Sequence, residues 1–157
     1  MAYGKSKFAD RGKVAEDAVK TYLAWWQLQS PYREANRLTD TKAAGRIIKA
    51  AAADFEYFCG DPIRHGLIEV KETEHEYRLA RYKVSQLARL RKREKCGGHS
   101  YVLVYHSTIN CWRAATTEYL ATTGDKGSWN LSDLPLFAIL EHALYALDRG
   151  VWERRNS

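Results

Sequence analysis

The residues best suited to chemistry are Asp54 and, fifteen positions on, Glu69 and Lys71, all within ADFEYFCGDPIRHGLIEVKET. Two carboxylates and an ammonium gathered in a small space pose an electrostatic problem. Acids side by side repel unless a cation neutralises them or one keeps its proton, and a divalent metal solves that directly. Magnesium takes a few carboxylate oxygens and retains several waters, leaving positions for a phosphate and an attacking water. Such an ion polarises a phosphate and lowers the pKa of its water, while Lys71 stabilises developing negative charge or orients the nucleophile. Phosphodiester hydrolysis is the matching reaction. The same residues also read as a solvated strand face on which Glu69 and Lys71 simply pair, since an Asp followed by Glu-x-Lys arises often by chance.

What decides between these readings is the set of elements that must position the three residues. ADFEYFC alternates acidic and aromatic side chains over 53–59 and meets a Gly60-Asp61-Pro62 turn signal; HGLIEVKET follows as a second strand, and the two are expected to pair antiparallel. Side chains alternate along a strand, which puts Leu67, Glu69 and Lys71 on one face and Ile68 and Val70 on the other. Upstream, Val14, Ala18, Tyr22 and Trp25, with Val19, Leu23 and Trp26, predict a helix from Asp10 to about Gln27, ended by Ser30-Pro31. An edge strand is expected near Arg33 to Leu38, then a turn at Thr39 to Lys42. Downstream, Leu79, Tyr82, Gln86, Leu87 and Leu90 predict a helix from about Tyr77 to Lys95, stopped by Gly97-Gly98. SYVLVYH has the composition of a strand buried on both faces, and the helix before it is long enough to make it a parallel neighbour of LIEVK. A strand at Cys111 to Ala115, a loop over Thr122 to Asn130 and a final helix from Leu134 to Leu147, capped by Ser132 or Asp133, complete the order. The expected fold class is α/β, a mixed central sheet flanked by helices.

Bulk properties narrow the partners. A chain of 157 residues is one domain's worth, so 1–157 is taken as a single domain, with residues 1–12 as a flexible basic arm. No apolar run approaches the roughly 20 residues that span a bilayer and no signal-peptide centre is present, so a cytoplasmic location is expected, without membrane partners. Cys59, Cys96 and Cys111 are odd in number and lack zinc-site spacing, which reads as reduced structural thiols. The net charge is +6, and eight basic residues between Arg78 and Lys95 face one acid, Glu94. That pattern favours a polyanion such as nucleic acid, because neutralising phosphates releases counterions. A solvated helix face is the plain alternative.

The order Asp54, Glu69-Val70-Lys71, a basic helix with an inner Gln86, then a glycine pair before YVLVYH resembles the PD-(D/E)XK nuclease superfamily. More narrowly, IEVKET and GGHSYVLVYH resemble RecU-type Holliday junction resolvases or a phage relative of them, over about Ala53 to His106. Ala53 stands where a proline often precedes the first aspartate; it makes no side-chain contact to a metal, so the mechanism is untouched.

The resemblance implies a restriction-endonuclease-like core in which Asp54 and Glu69 bind magnesium, with manganese able to substitute, helped by the Val70 carbonyl, and Lys71 is the catalytic lysine. It further implies a role for Glu16 on the first helix, which otherwise reads as an exposed pair with Lys20; Asp17 is the alternative. Gln86 is either a satisfied buried amide or, by the resemblance, part of the active site. His65 and His75 have no partner at metal-ligand spacing, and the five tryptophans read as core or interface.

The function expected is magnesium-dependent endonuclease action on branched DNA, resolving four-way junctions in a bacterial or phage-infected cell. Symmetric cutting of a junction requires two sites related by a two-fold axis, hence a C2 homodimer. Lys13, Arg78, Arg81, Lys83 and Arg89 would grip the DNA backbone. The competing readings are a sequence-specific or repair-type DNase of the same fold, a non-catalytic nucleic-acid-binding domain and a toxin-like RNase.

Overall fold

The computed structural model describes residues 5–124 and 127–155. Helix α1 (Lys5–Leu28) leads into β1 (Arg33–Arg37), the short hairpin β2 (Thr41–Ala43) and β3 (Arg46–Lys49), then β4 (Phe55–Gly60) and β5 (Ile63–Thr73). After these come β6 (Arg78–Ala80), a 3-10 turn (Arg81–Lys83), α2 (Leu87–Lys95), β7 (Tyr101–His106) and β8 (Cys111–Thr116). Helix α3 (Thr117–Thr122), β9 (Ser128–Asn130) and α4 (Leu140–Leu147) finish the chain.

Five strands form one mixed sheet in the order β1-β4-β5-β7-β8. The expected antiparallel pair is β4 with β5, Phe55 opposite Ile68 and Gly60 opposite Ile63. The expected parallel pair is β5 with β7, running from Ile68 opposite Tyr101 to Thr73 opposite His106. Alternation along the buried strands feeds two apolar layers. Ile68, Val70, Tyr101 and Leu103 pack with α1 and α4, and Leu67, Val102 and Val104 pack with Leu79, Leu90, Leu120 and Trp129. Flanking helices thus cover both faces of the mixed sheet, as the sequence predicts.

Glycine is required at one crossing. A Cβ on Gly66 would lie 1.8 Å from the His99 carbonyl oxygen, and here His99 N–H donates to the His65 carbonyl at 2.7 Å. The close approach seats β5 against the entry to β7.

Several expectations are corrected. The helix predicted over Tyr77 to Lys95 is helical only from Leu87, because Leu79 belongs to β6 and pairs with Trp129 of β9. The final helix starts at Leu140 rather than Leu134: Pro135 disfavours helix at its predecessor, and Phe137 exchanges backbone hydrogen bonds with Trp112. Thr39 to Lys42, expected as a turn, enters the β2–β3 hairpin, and the expected loop over Thr122 to Asn130 contains β9. On α1 the buried row is Ala15, Val19, Tyr22, Leu23 and Trp26, while Val14 is exposed. Of the basic arm, residues 1–4 lie outside the described residues, and from Lys5 the chain is already helical. No described helix is long and apolar enough to cross a membrane.

Candidate active site

Strands β4 and β5 pair only as far as Phe55 and Ile68. Beyond that point β5 continues alone on that side, and its backbone groups need another partner. Asp54 supplies it: its Oδ2 accepts the Val70 N–H at 2.7 Å, so a side chain replaces the missing strand. The N–H and carbonyl of one strand residue point to the same side, which aims the Val70 carbonyl into the same fork.

Glu69 enters the fork from the face it shares with Leu67 and is 1% exposed. Lys71 lies two residues on, its Nζ 2.7 Å from Glu69 Oε1. The second oxygen, Oε2, is buried without a hydrogen-bond partner. Burial above all, then the charge of Asp54, pushes the Glu69 carboxyl up to about 7 against the relief offered by Lys71. Burial also raises Asp54, offset by the Val70 N–H and by Lys71. The Val70 N–H bond favours the ionised form of Asp54 and so opposes the burial that raises it.

Glu16 reaches this centre from α1. Its carboxyl is raised by burial and then by Asp54, and Arg37 of β1 holds its Oε2 at 2.7 Å. The Lys20 partner suggested by spacing is not the one used. Asp17 is exposed, and Glu16 is the acid that the fold turns to the fork. Gln86 sits just ahead of α2, where its Oε1 accepts from Ser85 Oγ. It is half-buried and lines a cleft of about 510 Å³ together with Asp54, Glu69, Lys71 and Arg37.

The opposite rim of the cleft was not anticipated. Thr39, Asp40, Lys42 and Ala51 come from the base of the β2–β3 hairpin. Asp40 Oδ1 accepts the Ala51 N–H at 2.7 Å, and Arg89 Nη1 donates to the carbonyls of Ala50 and Ala51. Only the charged, turn-prone run TDTK hinted at this rim.

The basic residues divide. Lys13 is exposed one turn ahead of Glu16, and Arg78 is exposed on β6. Arg81 instead donates to the Thr123 carbonyl and lies 4.9 Å above the Trp129 ring. Lys83 donates to the Glu72 carbonyl, and Arg89 is the hairpin clamp. The continuous basic helix face expected from the sequence is therefore broken, with Arg81, Lys83 and Arg89 joining segments of the chain.

Among the described residues, no group of three or more His, Cys, Asp or Glu side chains is arranged to hold a metal ion. The fork nevertheless suits a hard divalent cation of the magnesium kind, which binds through one or two carboxylates and keeps waters for the rest. Glu69 Oε2 is a buried oxygen without a hydrogen-bond partner, and the Asp54 carboxyl lies close enough to raise that of Glu69.

Among solved structures, Hjc of Archaeoglobus fulgidus, a Holliday junction resolvase from an archaeal hyperthermophile, is similar to this chain. It shares 18% identity over 76% of this chain and 85% of its own, with a TM-score of 0.46. No family model and no curated protein matches the sequence.

Proposed function

We propose that this chain is a metal-dependent DNA endonuclease of the PD-(D/E)XK type. Its substrate on this reading is a four-way junction, cut by a C2 pair of subunits. One observation carries the catalytic part: Asp54 and Glu69 converge where β4 leaves β5, Glu69 is buried with an oxygen unpartnered, and Lys71 lies 2.7 Å from its other oxygen. The junction and the two-fold pairing rest on the likeness of IEVKET and GGHSYVLVYH to junction resolvases.

Asp54, Glu69 and the Val70 carbonyl would hold a magnesium or manganese ion, which would supply Lewis acidity toward a phosphate and lower the pKa of a water. The chain's own groups do the rest. The Val70 N–H bonds to Asp54 and favours its carboxylate form, the form in which it would serve as a metal ligand. Lys71 brings a positive charge into a low-dielectric fork, where charge developing on a phosphate oxygen is stabilised more than in water. Arg37 fixes Glu16 at the edge of the fork, where that carboxylate can orient a water. Gln86 offers an amide to the same cleft. Lys42 lines the cleft and Lys13 is exposed one turn ahead of Glu16, positive charge suited to phosphate backbones, and on this reading the exposed Arg78 of β6 adds to it.

The test is cleavage of a labelled four-way DNA junction and of linear duplex, with magnesium and with chelator, by wild type and Asp54→Ala. Paired nicks in opposed junction strands, dependent on the ion and lost in the variant, are expected. Junction binding without any cut would discard catalysis, and equal cutting of duplex would discard the junction.

A further inference from the structure

A second cleft, of about 870 Å³, lies on the far side of α1 and is lined by Trp25, His142, Tyr145, Arg149, Arg154 and Arg155 among others. Trp25 is nine residues beyond Glu16, which is about 13 Å along the helix axis and half a turn around it. The cleft is therefore separate from the fork and faces another way.

Its construction is fixed. The segment after α4 is tied to α1 by Trp26 Nε1 donating to the Val151 carbonyl at 2.9 Å and by the Tyr22 hydroxyl donating to the Glu153 carbonyl at 2.8 Å. The arginines that follow are thus carried on an anchored backbone. Arg154 lies 4.5 Å and Arg149 5.6 Å from the centre of one ring, that of Tyr145. Arg155 lies within 6 Å of both Tyr22 and Trp25 and pairs with Glu141.

The nearby acids are already engaged, Glu141 by Arg155, Glu153 by Arg33 and Asp148 by Arg64. Among the described residues, Arg149 and Arg154 make no ion pair. Two guanidinium groups held against one ring repel each other, and a bound anion relieves that repulsion. The ring fixes each cation while leaving its N–H fork free, the geometry that receives phosphate.

We infer that this cleft is a second nucleic-acid-binding site, in which Arg149 and Arg154 bind successive phosphates of a DNA strand along the Tyr145 and Trp25 rings. Interleaved arginine and aromatic side chains favour a nucleic acid over an acidic protein segment, since both the phosphates and the flat faces of sugar and base find partners. The inference stands apart from the reading of the fork as a nuclease.

Binding is measured on the full chain in chelator, where nothing is cut, by fluorescence anisotropy of a labelled single strand, duplex and four-way junction over a series of salt concentrations. Arg149→Ala/Arg154→Ala is expected to bind duplex at least 10-fold more weakly at low salt. The slope of log affinity against log salt should fall by about 1.8, the value for two lost phosphate contacts at 0.9 each. Tyr145→Leu, which keeps both charges, should weaken single-strand binding, and melting curves must show each variant folded. Affinity and slope unchanged in the folded double variant for all three DNAs would overturn the site. Asp54→Ala is expected to leave this contribution intact, so failure of cleavage and failure of the second site are read separately.

Discussion

Replacing Glu69 by glutamine should make the metal-free protein more stable, and increasingly so as pH rises. The Glu69 carboxyl is raised from its usual 4.5 to about 7, first by burial and then by Asp54. A raised acid favours the folded state while it is protonated; that stability is fully present below pH 4.5 and is lost as pH climbs through about 7. The rise from 4.5 to about 7, at 1.36 kcal/mol per factor of ten in acidity, places the loss at roughly 3 kcal/mol by pH 8.5. Glutamine resembles the protonated acid, and its amide can donate to Asp54 without titrating. Urea unfolding in chelator, followed by circular dichroism at pH 4.5, 6.5 and 8.5, should show the two proteins nearly equal at the lowest pH. At the highest, Glu69→Gln should be ahead by up to roughly 3 kcal/mol, or about 6 to 12 °C in Tm. Millimolar magnesium should narrow the gap by stabilising wild type, by about 2.7 kcal/mol at a hundredfold excess over Kd. A pH-independent difference, or a variant less stable at pH 8.5, would refute the account of Glu69 as a buried acid held near its own repulsive partner.

Lys71→Met should lower cleavage by about 100-fold or more while junction affinity in chelator stays within a few fold, because the ammonium acts on developing charge; single-turnover assays and anisotropy check this. Gly66→Ala should cost more than about 3 kcal/mol or prevent folding, since its methyl would occupy the position of the His99 carbonyl; a melting temperature within a few degrees of wild type would contradict the close crossing. His106 is buried, its Nδ1 2.7 Å from the His75 carbonyl and its Nε2 3.1 Å from Arg113 Nη1. The ring is therefore neutral with its hydrogen on Nδ1, and burial lowers its pKa. Stability from it is present above pH 6.5 and lost as pH falls through the lowered value, so His106→Gln should flatten the acid limb of the stability curve.

The elements readable from sequence were those whose local pattern agreed with their burial. YVLVYH is apolar throughout because it packs on both layers, and LIEVKET alternates because Glu69 and Lys71 share a face with Leu67. The same period of two places the site's acid and lysine on one face of the strand. Misreadings arose where similar spacing served another geometry. Leu79 and Leu90 lie eleven apart, as on one helix face, yet one packs from a two-stranded ribbon and the other from α2. Leu134 to Ile139 has helical composition, but Pro135 and the Trp112 backbone hold it extended. Arg37 is invisible as a site residue, since its position depends on β1 lying beside β4, where it pairs with Phe55 eighteen residues on. Asp40 and Arg89 act on the backbone of a short hairpin, and no side-chain pattern announces such bonds.

The hydrogen bonds from Tyr22 and Trp26 to Glu153 and Val151 join segments 125 to 131 residues apart. Trp152 lies between them, 1% exposed, its ring 4.9 Å from Trp26 and 4.7 Å from Tyr57. Nearly the whole domain is thus a single loop whose closing clasp is also the centre of an aromatic core. Closing so long a loop costs entropy before any contact repays it, which assigns these contacts to a late stage of folding. A polypeptide interrupted before Val151 lacks the ring that fills this core, leaving α1 with an unfilled apolar face. Chains cut short before Val151 should therefore be recognisable to proteases and chaperones by that face.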